Sequence, residues 1–334
     1  MRIFTNTNYD FIRWRWHAIV LSTLVILAGI GVTIQRGGPP LGIDFSGGTI
    51  VVVKFQQATT EETVRRVLSQ KVPGEAVVQT YGNPGQNEIL IRLPLMEGVE
   101  QGASLEKGAN QVVEALKQGN VGQFEVINRE LVGPAVGADL QRKGIYATLA
   151  SILGITVYIG IRFRLSFAIG AIAATLHDVF VTFAFLVFFG YDLSLNVIAA
   201  ILTITGYSVN DTIVIFDRVR ENQHLLRREP LEKIVNDSVN QTLSRTIITA
   251  GTTFLAVLSL FLFGGEVLKG FAFTMLVGIV SGTYSTVFIA AAVAILLSKG
   301  GGTSDKKASS APAAATPSGS TGRGKAGGRK AKAS

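Results

Sequence analysis

Cysteine is absent from the 334 residues. That excludes disulfides, Cys-ligated zinc and iron–sulfur clusters. Charge is scarce too: Asp, Glu, Lys and Arg make up 16% of the chain, against roughly 25% in ordinary soluble domains. No Walker A phosphate loop occurs, which disfavours ATP-driven chemistry by this chain. Neither a metal-ligand spacing nor a hydrolase triad is present, so no cofactor and no enzymatic activity are expected. What fills the space is apolar: 48% of the residues are hydrophobic, which points to lipid as the solvent for much of the chain.

The net charge of +8 would suggest nucleic acid until it is located. From Lys299 to Ser334 there are eight Lys/Arg and one acid, Asp305. That segment alone accounts for +7, and the rest of the chain is nearly neutral. Rich in Ala, Ser, Gly and Pro, residues 299–334 cannot bury enough apolar surface to fold, so a disordered basic cytoplasmic tail is expected. Solubility, contact with anionic lipid headgroups and contact with ribosomal RNA all remain open for it.

A membrane span needs about 20 largely apolar residues. Such runs occur at 17–34, 144–161, 165–189, 195–216, 246–263 and 271–297. The first is expected to stay uncleaved, because its 16-residue leader is long and no A-x-A site follows the apolar run. One set of flanks carries Arg2, Arg13, Arg15, Arg162, Arg164, Arg218, Arg220, Arg227, Arg228 and Lys233, then the basic tail. The opposite short loops carry only Lys269. By the positive-inside rule both termini are cytoplasmic and residues 37–142 lie outside. Between spans 4 and 5, Leu231, Ile234, Val235 and Val239 recur at helical spacing after Pro230. They predict an amphipathic helix near 230–242 lying on the cytoplasmic face of the bilayer; a helix packed on a partner protein would show the same pattern.

The 37–142 segment reads as its own domain. Thr49–Phe55, Val77–Tyr81, Glu88–Leu93 and Phe124–Leu131 are strand candidates. Thr59 and Glu62 predict a capping box that starts a helix reaching about Gln70, and a second helix is expected over Leu105–Gln118. The order β-α-β-β-α-β matches the ferredoxin-like split motif. The fold expected is thus a six-helix membrane bundle with an α/β ferredoxin-like extracytoplasmic domain between helices 1 and 2.

Ionisable groups inside spans are costly and therefore mark candidate sites. Span 4 carries Gly206-Tyr207-Ser208-Val209-Asn210-Asp211-Thr212, with Asp217 and Arg218 at its end. Asp211 lies furthest inward, where burial and a cationic partner would act on it in opposite directions. Arg245, ahead of span 5, is the obvious partner, with a headgroup-seeking arginine as the alternative. Span 3 holds His177-Asp178, either a proton relay or a structural pair bonded to other helices; adjacent helical positions diverge, so the two need not bond each other. Gly278 and Gly282 give a small-xxx-small spacing that suits close helix packing. Gly42–Thr49, with Asp44, Gly47 and Gly48, opens the outer domain. Asp44 is expected to cap a turn with no helix following. Val132–Gly137, with Gly133 and Gly137, bends the chain back toward span 2.

Taken together, GIDFSGGT at 42–49, VGPAVG at 132–137, LHDVF at 176–180, GYSVNDTIVIFDRVREN at 206–222 and NQTLSRTI at 240–247 resemble the SecF family. They occur in family order over about residues 10–297. The resemblance implies a complex with SecD in the proton-driven RND superfamily, beside the SecYEG channel and the SecA motor in a bacterial cytoplasmic membrane. There it would use the proton gradient to help export preproteins. It also implies proton transport by the Asp and Arg of the NDT and SRT motifs, here Asp211 and Arg245. Asn210, Asp217, His177 and Asp178 form a secondary polar set. The mechanism expected is a charge switch: ionised Asp211 pairs with Arg245, and protonation from outside releases the pair, shifting spans 4 and 5 and acting on the outer domain through spans 1 and 2. A lipid or small-molecule exporter, and a translocase scaffold without proton coupling, are the alternatives.

The charge asymmetry generates a direct expectation. A topology reporter at Gly85 reads external, and reporters at Arg227 and Ser334 read cytoplasmic; the reverse pattern refutes the membrane map.

Overall fold

A computed structural model describes residues 7–72, 76–82, 85–93 and 101–301. Residues 83–84, between the expected strands Val77–Tyr81 and Glu88–Leu93, and the basic tail from residue 302 onward lie outside that range.

Six helices are long and apolar enough to cross a membrane. A 3₁₀ turn, Ile12–Trp14, leads into α1 (Arg15–Gln35). After the outer domain come α5 (Pro134–Arg162), α6 (Leu165–Phe189), α7 (Leu195–Leu225) and α8 (Leu231–Phe263). The last is α9 (Glu266–Ser285), continued by a π-helical segment, Thr286–Ala290, and α10 (Ala291–Gly301). Each boundary has a local cause. Pro134 occupies the first turn of α5, where its missing N–H costs nothing. Gly190 ends α6 in the left-handed conformation, φ 72°, and Ser194 caps α7 by accepting the Val197 N–H.

The six differ in how they bury. The central helices α6, α7 and α9–α10 have half or more of their apolar windows buried, whereas α1, α5 and α8 are largely peripheral. Leu24, Leu27, Leu149, Leu153, Leu255 and Phe263 are all more than half exposed, an apolar girdle that only lipid or another membrane protein can cover. At the end of the bundle away from the sheet domain, Phe167, Phe216, Val219, Ile234, Val235 and Val239 share one core.

The expected amphipathic helix and span 5 form one element, the 33-residue α8. No Gly or Pro interrupts residues 231–250, so nothing stops the helix at 242. The apolar stripe Ile234, Val235, Val239 packs on α7 and its neighbours rather than on a bilayer face. Arg245 accordingly sits well inside a continuous helix and not ahead of one.

The sheet domain has strands β1 (Gly48–Phe55), β2 (Val77–Tyr81), β3 (Glu88–Leu93) and β4 (Phe124–Val132), with helices α3 (Glu61–Lys71) and α4 (Gln101–Gln118). The sheet order is β2-β3-β1-β4 and every pairing is antiparallel. Val51, Val53 and Phe55 of β1 pack with Ile89 and Ile91 against Val64, Leu68, Val112 and Leu116 of the two helices. On the opposite face Ile50 and Val52 meet Ile43, from the four-residue helix α2 (Ile43–Ser46). Central β1 is thus buried on both faces. The cap of α3 is Thr60, one residue later than the capping-box reading: extended at φ −87°, ψ 148°, it accepts the Thr63 N–H, while the Thr59 hydroxyl turns to the Gln57 carbonyl.

This domain has its own apolar core, so residues 40–140 are expected to fold alone as an α/β unit; an unstructured circular-dichroism spectrum refutes this. Within it, Glu61 accepts hydrogen bonds from the Thr80 hydroxyl and N–H, both at 2.6 Å. These bonds hold its carboxyl below the ordinary 4.5. Their stabilisation is complete above pH 4.5 and is lost as pH falls through the lower folded value. Urea midpoints of the fragment should therefore drop on acidification, and Glu61→Gln should flatten that drop.

Candidate functional site

Of the polar groups singled out in the spans, Asp178, with His177 beside it, lies where α6, α7 and α9 meet. Close approach there is a matter of small side chains. A Cβ on Gly278 would lie 2.2 Å from Ile204 Cδ1, and one on Gly282 would lie 3.0 Å from Ser208 Cβ. The two glycines are four residues apart on α9 and let it settle against α7. Gly170 does the same for α6 against the π segment, its Cβ position 2.6 Å from the Ala290 carbonyl oxygen.

Asp178, on α6, is fully buried at this junction. Its carboxyl accepts hydroxyl hydrogen bonds from Ser208 of α7, at 2.5 Å, and from Ser281 and Ser285 of α9, both at 2.8 Å. One side chain thereby ties three helices together with every donor satisfied, as burial in lipid demands. His177 adds its Nδ1 at 3.1 Å from Asp178 Oδ1. The ring closes on the neighbouring carboxyl despite the divergence of adjacent helical positions, because it is held against Tyr284 in a stacked contact. Tyr284 in turn donates to the Ala18 carbonyl of α1 at 2.6 Å and accepts from Ser22. The pair is thus hydrogen-bonded to other helices through Asp178 and internally through His177.

Asp211, near the middle of α7, is 5% exposed, and its Oδ2 has no hydrogen-bond partner. Arg245 of α8 is close enough to act on it electrostatically, yet among the described residues no ion pair joins the two. Arg245 is exposed on its helix. Next to Asp211, Thr212 shares a hydrogen bond of 3.2 Å with Thr286, the first residue of the π segment. Single π turns in long helices frequently mark functional sites. The buried Thr246 hydroxyl, one residue from Arg245, also lacks a partner. The secondary set divides: Asn210 is exposed, and Asp217 pairs with Arg162 of α5 at 2.8 Å.

At the other end of α7, the glycine-rich opening of the outer domain docks on the bundle. Asp44 Oδ2 accepts the Leu195 N–H at 2.8 Å, neutralising one of the free amides of the α7 start. It lies in helix α2, so a short helix does begin in this segment, and the carboxyl caps a distant helix rather than a local turn. Gly42 N–H donates to the Leu193 carbonyl, and Leu193 N–H to the Pro40 carbonyl, each at 2.6 Å. Gly47 and Gly48 adopt φ 72° and 139°, a conformation that favours glycine. Gly137 lies against this turn: a Cβ there would stand 2.9 Å from the Phe45 carbonyl oxygen. Gly133 caps α5 with extended backbone and open space around it. Arg92 of β3 adds an ion pair to Asp192, in the loop just before α7.

Residues 111–300 match the model for the C-terminal region of the protein export membrane proteins SecD/SecF, and residues 37–59 match the SecD/SecF GG motif. The protein translocase subunit SecF of Koribacter versatilis is 38% identical over 87% of this chain and 92% of its own. That of Rhodothermus marinus is 42% identical over 89% and 96%, and that of Escherichia coli O157:H7 is 38% identical over 86% and 88%. The chain belongs to the SecF family. It is a multi-pass membrane protein and an accessory subunit of the Sec translocase. Its fold is similar to the crystal structure of SecDF from Thermus thermophilus, with a TM-score of 0.77 and 34% identity over 88% of this chain. It spans 39% of that longer chain. A SecDF structure in the super-membrane-facing form gives a TM-score of 0.65.

Sequence reasoning missed Ser281, Ser285, Arg92 and Asp192. The serines had a readable signal: spaced by four on α9, they lie three residues after Gly278 and Gly282 respectively. Arg92 and Asp192 had none, being far apart in sequence and ordinary on their own elements.

Interhelical hydrogen bonds in membranes average about 0.6 kcal/mol. Asp178→Ala removes three and leaves buried serine hydroxyls without an acceptor, so it should destabilise the solubilised protein by about 2 kcal/mol. Gly278→Ala, which forces α9 away from Ile204, should cost about 1–3 kcal/mol. Thermal or denaturant unfolding in detergent checks both.

Proposed function

We propose that this SecF-family chain works with a SecD subunit as a proton-driven accessory of the translocase, with Asp211 and Arg245 as its charge switch. One observation carries the reading: a buried carboxyl in the middle of an apolar helix has an unpartnered oxygen, and the nearest candidate cation is near but not in contact. A carboxyl held between burial and an approaching guanidinium is suited to taking and releasing a proton. When Asp211 is ionised it pairs with Arg245; protonation from outside releases the pair and lets α7 and α8 shift. A charge moving through the membrane field contributes about 2.3 kcal/mol per 100 mV, enough to bias a two-state element.

Further features support the partners. Arg245 and Asn210 are polar and exposed on membrane helices, a costly arrangement in lipid. A second membrane subunit covering them would remove that cost, and SecD is the partner that the SecDF relatives suggest. SecYEG, SecA and the moving preprotein complete the assembly in a bacterial cytoplasmic membrane, with both termini cytoplasmic and the outer domain, ferredoxin-like in its β2-β3-β1-β4 antiparallel order, on the far side. Transmission was expected through spans 1 and 2. The geometry favours a shorter route, since α7 itself carries Asp211 and, at its start, the Asp44 and Arg92–Asp192 contacts to the outer domain.

The test is proton flux and proton-driven export in proteoliposomes holding the complete SecD-containing complex. Asp211→Asn should reduce flux to the background of empty vesicles while leaving co-purification intact. Arg245→Lys keeps the charge but not the planar fork and should be impaired; Arg245→Met should be as severe as Asp211→Asn. The double change should not add the two losses, because the residues act in one step. Additive losses, or full flux in Asp211→Asn, reject the switch and favour a scaffold without proton coupling.

A further inference from the structure

At the end of the bundle away from the sheet domain, a cavity of about 750 Å³ opens between the last turn of α5, the first turns of α6 and α8, and the final turns of α7. Its polar lining is mostly cationic: Arg162, Arg164, Arg220 and Arg227. Arg162 is occupied by Asp217, and Arg227 Nε donates to the His224 carbonyl. Glu229, the carboxylate that lines the cavity, pairs instead with Lys233 at 2.9 Å. Arg164 and Arg220 have no ion pair or hydrogen bond from their side chains among the described residues. The starts of α6 and α8, which share the wall, lack side-chain caps as well, so their amide dipoles add positive potential.

Apart from Gln223, His224 and Glu229, the rest of the wall is hydrocarbon. Phe163, Phe167 and Phe216 line its floor, and Phe167 and Phe216 are edge-to-face at 5.0 Å. Beside the arginines stand Ile161 and Leu165, 84% and 74% exposed, on the apolar outer surface of the bundle. Cations without counter-ions over an aromatic floor, flanked by exposed aliphatic side chains, match a molecule that is anionic at one end and apolar at the other. A free anion would use the guanidiniums and leave the floor unused.

We propose that this cavity holds the phosphate headgroup of an anionic phospholipid, its acyl chains running along Ile161 and Leu165. Arg164 and Arg220 bind the phosphate, and Arg162 and Arg227 narrow the mouth. Such a lipid bridges four helices, two of which, α7 and α8, carry Asp211 and Arg245. The site rests on the embedding of the bundle in a membrane and is independent of the proton switch.

The experiment uses the full chain in detergent, with phosphatidylglycerol, phosphatidylcholine of the same acyl chains and inorganic phosphate as probes. Readouts are the melting temperature and the lipid retained in native mass spectrometry. Phosphatidylglycerol is expected to raise the melting temperature and remain bound; phosphatidylcholine and inorganic phosphate are not. Arg164→Gln with Arg220→Gln should raise the phosphatidylglycerol concentration for half-maximal protection about thirtyfold, and Arg164→Gln alone about fivefold. The charge-matched control, Arg13→Gln with Arg228→Gln, should change it less than about threefold. All four side chains are exposed, so both doubles are expected to remain folded, and wild-type lipid retention stands as a test without any variant. Equal weakening in the two doubles, or equal retention of the neutral lipid, overturns the site. Protection by inorganic phosphate equal to that by lipid overturns the phospholipid reading in favour of a free-anion site.

Discussion

A polar group inside a hydrocarbon layer must find its partner within the protein, and the architecture of this bundle follows from that constraint. Asp178 meets it completely, with three serine hydroxyls from two other helices around one carboxyl. Those bonds require α6, α7 and α9 to lie closer than large side chains would permit. Gly278, Gly282 and Gly170 supply the space. The polar node and the glycine seams depend on each other: hydrogen bonds of modest strength fix helices that small residues have allowed to touch.

Against this satisfied node, Asp211 is the exception. It is buried to a similar degree on the same helix as Ser208, yet one oxygen is unpaired and the guanidinium of α8 stands off. Two neighbouring carboxyls in one bundle therefore have different characters. Asp178 is held from several sides, which suits a fixed strut, while Asp211 is left with capacity for another bond, which suits a switch. The π segment beside Thr212 supports the contrast, since a helix with one wide turn has a local alternative to its regular hydrogen bonding.

The sheet domain is joined to the bundle at the start of the same helix. Asp44 caps α7, the Gly42 and Leu193 backbones exchange bonds with their neighbours, and Arg92 pairs with Asp192. Ile43, one residue from Asp44, also seals the second face of the sheet. The glycine-rich opening is a joint in which a sheet core and a membrane helix share adjacent residues.

Elements with a strong local signal were legible in the sequence. The six apolar runs, the four strands within a residue or two, and both helices of the outer domain follow from periodicities that water and lipid impose on any chain. Asp211, Arg245 and Asp178 were legible as costly residues in apolar runs. Their differing states were not, because a hydrogen-bond partner such as Ser281 lies 103 residues from Asp178 and no local pattern links them. The fusion of the amphipathic helix with span 5 was misread because a change from amphipathic to apolar composition marks where solvent changes, not where a helix ends. The sequence by itself determined which segments enter lipid and which side chains are expensive there. Only the tertiary structure decided which of those side chains are satisfied, because satisfaction depends on donors brought within about 3 Å from distant parts of the chain.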